Sequence, residues 1–155
     1  MPFQIHALPM SPFKHLFDLS LEELTAQNAI RVTASSNHGY PCRVSLKDAK
    51  KGQDLILFNY QHLKGDTPYE ASHAIYVSEN ATEAKLEANE IPEVLSLRIL
   101  SLRGFDESGL MREADVVEGT DLGPKLLKMF ENPQIAFIDI HNAKQGCFAA
   151  KATRA

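Results

Sequence analysis

The stretch "IAFIDIHNAKQGCFAAKATR", Ile135–Arg154, decides the fold. Its first part, Ile135–His141, is apolar and rich in β-branched residues, and its last part, Gly146–Arg154, reads as a second strand. Only the polar linker around Asn142–Gln145 lies between them. Parallel neighbours need a crossover of a dozen or more residues, so this pair is a hairpin. A second hairpin precedes it. "VLSLRILSLRGF" (Val94–Phe105) runs into a turn at Asp106–Gly109 and returns through "MREADVVEG". Three more strands are expected at Ala29–Ser35, Asp54–His62 and Ala74–Ser78.

Helices are fewer and do not alternate with the strands. Ser11-Pro12 resembles a cap followed by a first-turn proline. Ser20-Leu-Glu-Glu23 spells a capping box, with Leu21 and Leu24 as the apolar stripe and Asn28 as the stop. Leu122, Leu126, Leu127 and Phe130 share a helical face, with Pro124 in the first turn and Asn132-Pro133 closing it. The polar run Asn80–Pro92 is a short helix or an excursion between strands. The pattern implies an α+β fold in a single domain, residues 1–155. Its largely antiparallel sheet is open or strongly curled, and two to four helices cover one face.

The 155-residue chain is long enough to bury roughly 70% of its unfolded surface. Net charge is −4 and no basic run exceeds Lys50-Lys51, so the footprint of a nucleic-acid surface is missing. No stretch approaches the ~20 apolar residues of a membrane helix, and "MPFQIHALPM" lacks the features of a signal peptide. A cytoplasmic protein is expected, without nucleic-acid or membrane partners. Two cysteines do not make a disulfide framework. Nothing indicates a particular cofactor, and a homodimer is left open.

Candidate chemistry falls into three groups. Pro41-Cys42-Arg43 precedes Ser45-Leu-Lys-Asp48, which reads as the cap of a helical turn. A thiol there meets the positive end of a helix and a neighbouring guanidinium, and both lower its pKa. On the strand Asp54–His62, Tyr60 and His62 share a face with Ile56 and Phe58, as the wall of a pocket mouth or as a polar border of the core. Asp139 and His141 share a face near Cys147, so a carboxylate could orient an imidazole beside a thiol. No His-x-x-x-His, Cys-x-x-Cys, phosphate loop or nucleophile elbow occurs, and no metal site is expected from spacing. Arg98 and Arg103 lie in an apolar stretch and each requires a carboxylate, a ligand or solvent, with Arg103 the better ligand candidate.

"YPCRVSLKDAKKGQDLILFNYQH", "TPYEASHAIYV", "SLRGFDESGLM" and "GCFAAKATRA" together resemble the bacterial family known as domain of unknown function 1203. The likeness runs from about Ala29 to Ala155. It marks Pro41, Cys42, Arg43, Tyr60, Tyr69, Arg103, Gly146 and Cys147 as matching positions. Where that family reads Gly-Pro-Ile-Phe-Val, this chain has the segment Ser72–Val77. The resemblance implies a single-domain cytoplasmic bacterial protein and carries no catalytic assignment. The favoured reading is a module that binds a small anionic molecule, with Arg43 and Arg103 gripping it and Tyr60, His62 and Tyr69 shaping the pocket. The alternatives are a hydrolase or transferase using Cys42 or Cys147 with His141 or His62, and a protein-interaction domain.

Overall fold

The computed structural model describes residues 2–155. Eight strands form two open antiparallel sheets where one sheet was expected. The larger has the order β1 (Phe3–His6), β8 (Phe148–Arg154), β7 (Phe137–Asn142), β5 (Ile99–Phe105), β6 (Met111–Glu118). The smaller has the order β2 (Ala29–Thr33), β3 (Asp54–Leu63), β4 (Ala71–Ser78). Both sequence hairpins are present, β5 against β6 and β7 against β8, but the first begins at Ile99, because Val94–Ser96 at the expected strand start is helical. Neither sheet closes into a barrel.

The helices divide between two cores instead of covering one face. Helices α2 (Glu93–Ser96) and α3 (Leu122–Met129) pack with the larger sheet, where Leu95, Leu122, Leu126 and Met129 meet Ile5, Leu100, Leu102, Ile138 and Ile140. Helix α1 (Leu21–Ala26) belongs to the smaller sheet, where Leu24 joins Phe13, Leu16, Ile56, Ile75 and Val77. Each sheet thus buries one face in its own apolar cluster. The other face of the larger sheet remains for contact with the smaller one. Among the described residues, no helix is long and apolar enough to cross a membrane.

Local chemistry explains where elements form and where they depart from expectation. The capping box holds: Ser20 Oγ accepts from Glu23 N–H, and Glu23 Oε1 accepts from Ser20 N–H. Asn28 follows the helix at φ 54°, a left-handed stop that asparagine tolerates. Leu21, however, is exposed. Six residues make fewer than two turns, and one side chain, Leu24, suffices to anchor them. After Ser11-Pro12 there is only a 3₁₀ turn, Lys14–Asp18. Phe13, Leu16 and Leu19 recur every third residue, which suits three residues per turn.

The helical turn expected after Cys42 is also absent. Pro41 pairs with Asp48, Cys42 N–H donates to Lys47 carbonyl oxygen, and Leu46 turns at φ 52°. Val44 and Leu46 are both buried, and this tight loop faces both inward. Arg98 precedes β5 and forms a forked pair with Asp48, at 2.7 and 3.1 Å. That is the structural option for this residue, tying the 41–48 loop to α2.

Gly119 sits where β6 enters α3. A Cβ there would run into the carbonyl oxygens of Leu95 and Arg98, which are backbone and have little freedom to yield. Gly119→Ala should therefore lower unfolding free energy by about 3 kcal/mol, the upper range for overpacking. Urea denaturation monitored by circular dichroism measures it.

Candidate functional site

Two β-bulges shape the place where the sheets meet. Along β3 and β4, Tyr60 faces His73 and Gln61 faces Ser72, but the next pair is Leu63 with Ala71. His62 is the extra residue. In the β7–β8 hairpin, Ile140 faces Ala150 and His141 faces Phe148, so Ala149 is extra. Bulges re-aim side chains and commonly lie beside functional sites. Here they bring together His62 and His73 from the smaller sheet and His141 from the larger. Ring centroids are 4.8 Å apart for His62–His73, 4.9 Å for His62–His141 and 5.0 Å for His73–His141. Phe148 lies flat on His62 at 4.8 Å, with 3° between the planes. Tyr60 borders Phe148 at 6.5 Å.

The hydrogen bonds define which nitrogens are engaged. His62 Nδ1 is 3.2 Å from Asp139 Oδ2, and His62 Nε2 is 2.7 Å from His73 Nδ1. Asp139 is fully buried, and its Oδ1 accepts from Lys151 Nζ at 3.1 Å. His141 Nδ1 is 3.0 Å from Gly146 carbonyl oxygen. A carbonyl can only accept, so that nitrogen carries the proton and Nε2 is a bare lone pair in the neutral ring. Among the described residues, this buried Nε2 has no hydrogen-bond partner. Burial pushes the His141 pKa down to about 3; the Gly146 bond opposes this, and the charge of Arg103 adds to it. His73 is also lowered, by burial first and then by His62 and Arg103. Among the described residues, these three histidines are the group whose donor atoms could share one metal ion, one atom from each and all within 4.8 Å.

Several residues singled out from sequence lie along this seam. Ile138 and Ile140 do face the core, with Asp139 and His141 on the opposite side of β7, but Asp139 orients His62 and not His141. Arg103 stands directly opposite Asp139 across the β5–β7 pair. It is half-buried, and its Nε contacts Ser101 Oγ at 3.4 Å. Among the described residues, no carboxylate oxygen comes within 4.0 Å of it. Tyr60 is held neutral, its pKa raised by burial and by the charge of Asp139. Tyr69 is exposed and sets its ring edge against Phe105 at 5.8 Å. Phe105 stacks on Phe137, over which the Lys151 ammonium sits at 3.8 Å.

Arg43 and the cysteines form a separate cluster. Arg43 is 2% exposed. Its Nε donates to Phe148 carbonyl oxygen at 2.7 Å, its Nη1 to Pro41 carbonyl oxygen and its Nη2 to Cys147 Sγ at 3.1 Å. Such a guanidinium fastens the 41–48 loop to β8 and presents no face to solvent. Both cysteines are free thiols. Cys147 Sγ is engaged by Arg43 and by Asn142 Nδ2 at 3.5 Å. Cys42 is buried, and burial raises its pKa. Hydrogen bonds from Ser45, together with those from the Ser78 and Val44 backbone, outweigh burial and leave it lowered. The Ser45 side chain and backbone N–H groups of the loop and of β4 produce that effect; no helix begins there. Neither sulfur hydrogen-bonds a histidine among the described residues. A broad cleft of about 1160 Å³ lies elsewhere, between the 45–53 loop and the 78–94 segment, and carries acidic and basic side chains of mixed sign.

Spacing missed the cluster because its members come from three strands of two sheets. His73 was further hidden by a strand start set at Ala74. The alternation His73, Ile75, Val77 extends β4 far enough to place His73 opposite Tyr60.

The chain belongs to the family described as proteins of unknown function, DUF1203, whose model matches residues 39–154. No curated protein and no solved structure matches it.

Two outcomes check this geometry. Arg43→Met leaves the Pro41 and Phe148 carbonyls unpaired inside the protein and should cost about 3 kcal/mol in urea unfolding; an arginine reserved for a ligand would leave stability unchanged. The second concerns pH. The folded pKa of His141 lies below its unfolded value of about 6.5, so the unfolded chain binds the extra proton and stability falls as pH drops from about 6.5 toward 3. One proton contributes a slope of at most about 1.4 kcal/mol per pH unit. His141→Gln should flatten the stability–pH curve in that window.

Proposed function

We propose that this protein binds a small anionic molecule at the seam between its sheets, with Arg103 as the principal anion contact. The observation that carries this reading is the Arg103 guanidinium: half-buried, without a carboxylate partner among the described residues, and close enough to the histidines to depress two of them. A buried or half-buried arginine without a counter-charge is costly unless something supplies the charge. The fork of guanidinium donors matches a carboxylate or phosphate. Asp139 stands opposite but already serves His62 and Lys151. The exposed ring of Tyr69 and the half-buried His73 would border the ligand, while Tyr60 and His62 support it from behind. Arg43 has no place in this contact, because its donors are used within the fold.

The test is a titration with phosphate, sulfate and short carboxylates, followed by melting temperature and calorimetry. At least one class should bind, and Arg103→Gln should weaken it about 10-fold, the worth of one charge-assisted pair at a partly exposed position. Binding of none of these anions, or equal binding by wild type and Arg103→Gln, would overturn the reading.

A further inference from the structure

We propose that His62, His73 and His141 form a site for one divalent transition-metal ion of the zinc class, each giving one ring nitrogen. The proposal stands on the rings alone. Arg103 gives no ligand atom, so the site does not depend on anion binding.

The orientation of the rings is the first support. Metal-binding histidines usually donate their second nitrogen to a carboxylate or a backbone carbonyl, which fixes the tautomer and turns the other lone pair inward. Both kinds of partner are present. Asp139 takes the outer nitrogen of His62, and the Gly146 carbonyl takes that of His141. The remaining nitrogens are His62 Nε2, which meets His73 Nδ1 at 2.7 Å, and His141 Nε2. The second support is His141 Nε2, a buried acceptor with no partner among the described residues in a side chain with no exposure. A proton donor or a cation is the chemistry that satisfies it.

The third support is the fit. A zinc–imidazole bond is about 2.0–2.1 Å, which places nitrogens about 3.3 Å apart in a tetrahedral site. The three donors lie within 4.8 Å of one another, with His62 Nε2 and His73 Nδ1 at 2.7 Å. That close pair must open by about half an ångström, and a pair at the 4.8 Å limit must close by about 1.5 Å, to admit the ion. His73 is half-buried, near the start of its strand, and is the ring best placed to give way. A metal-bound ring nitrogen carries no proton, so on binding any proton on His73 Nδ1 moves to its Nε2. Imidazole nitrogen suits zinc, cobalt, nickel and copper; magnesium and calcium require oxygen ligands. Three protein ligands leave a further coordination position for water or another small ligand.

The test uses chelator-treated protein in a buffer without phosphate or carboxylate, titrated with Co(II) and then Zn(II). Expected are one Co(II) per chain with a visible ligand-field absorption, its displacement by one Zn(II), and a higher melting temperature. His73→Ala should weaken binding at least about 100-fold while keeping a native circular dichroism spectrum, since His73 is only half-buried. Asp139→Asn should weaken it about 10–100-fold through the orientation of His62. Failure of the wild type to bind one equivalent, or unchanged binding by folded His73→Ala, would overturn the proposal. Anion titrations of the metal-free protein report on Arg103 separately.

Discussion

The carboxylate of Asp139, removed entirely from water, joins the two sheets. One oxygen faces His62 from the smaller sheet, and the other accepts from Lys151 on the neighbouring strand of the larger. Stripping water from such a charge costs several kcal/mol, and the attraction of its partners roughly offsets that cost. The clasp therefore contributes little net stability. The apolar clusters under each sheet supply that. What the clasp contributes is position: it selects one orientation for His62 and one register for the two sheets against each other.

Position then propagates through the rings. Phe148 stacks on His62, His62 meets His73, and both approach the edge of His141. The Gly146 carbonyl, just before the hairpin's return strand, orients His141 as Asp139 orients His62. Outer nitrogens are bound and inner nitrogens converge. Two cationic side chains, Lys151 and Arg103, flank the same face, and Arg103 has no carboxylate partner among the described residues. The proposed anion contact and the proposed metal site both draw on this face.

Much of the fold was legible in the sequence. The β5–β6 and β7–β8 hairpins, the capping box at Ser20 and most of the buried face of α3 follow from local chemistry, although Val94–Ser96 forms α2 and not strand, and Met129 takes the buried place expected for Leu127. Division into two sheets was not legible, because strand alternation says which side of a strand is apolar and nothing about which strand lies beside it. Of the site, Tyr60, His62, Arg103 and His141 were recognisable as polar residues on apolar strands, and Tyr69 only through the family resemblance. Their convergence depends on two bulges, at His62 and Ala149, and a one-residue irregularity leaves no periodic signal. The attraction of Pro41-Cys42-Arg43 as a grip had a similar origin. A charged residue in a turn suggests solvent, yet packing against Phe148 and Cys147 draws Arg43 inside.

The site depends on the direction of the ring lone pairs. Nitrogen-15 NMR of the histidine side chains, at neutral pH in metal-free protein, reads each tautomer directly. The geometry requires His141 to be neutral with its proton on Nδ1, donated to Gly146, and Nε2 bare. A His141 that is charged at neutral pH, or that carries its proton on Nε2, would contradict it.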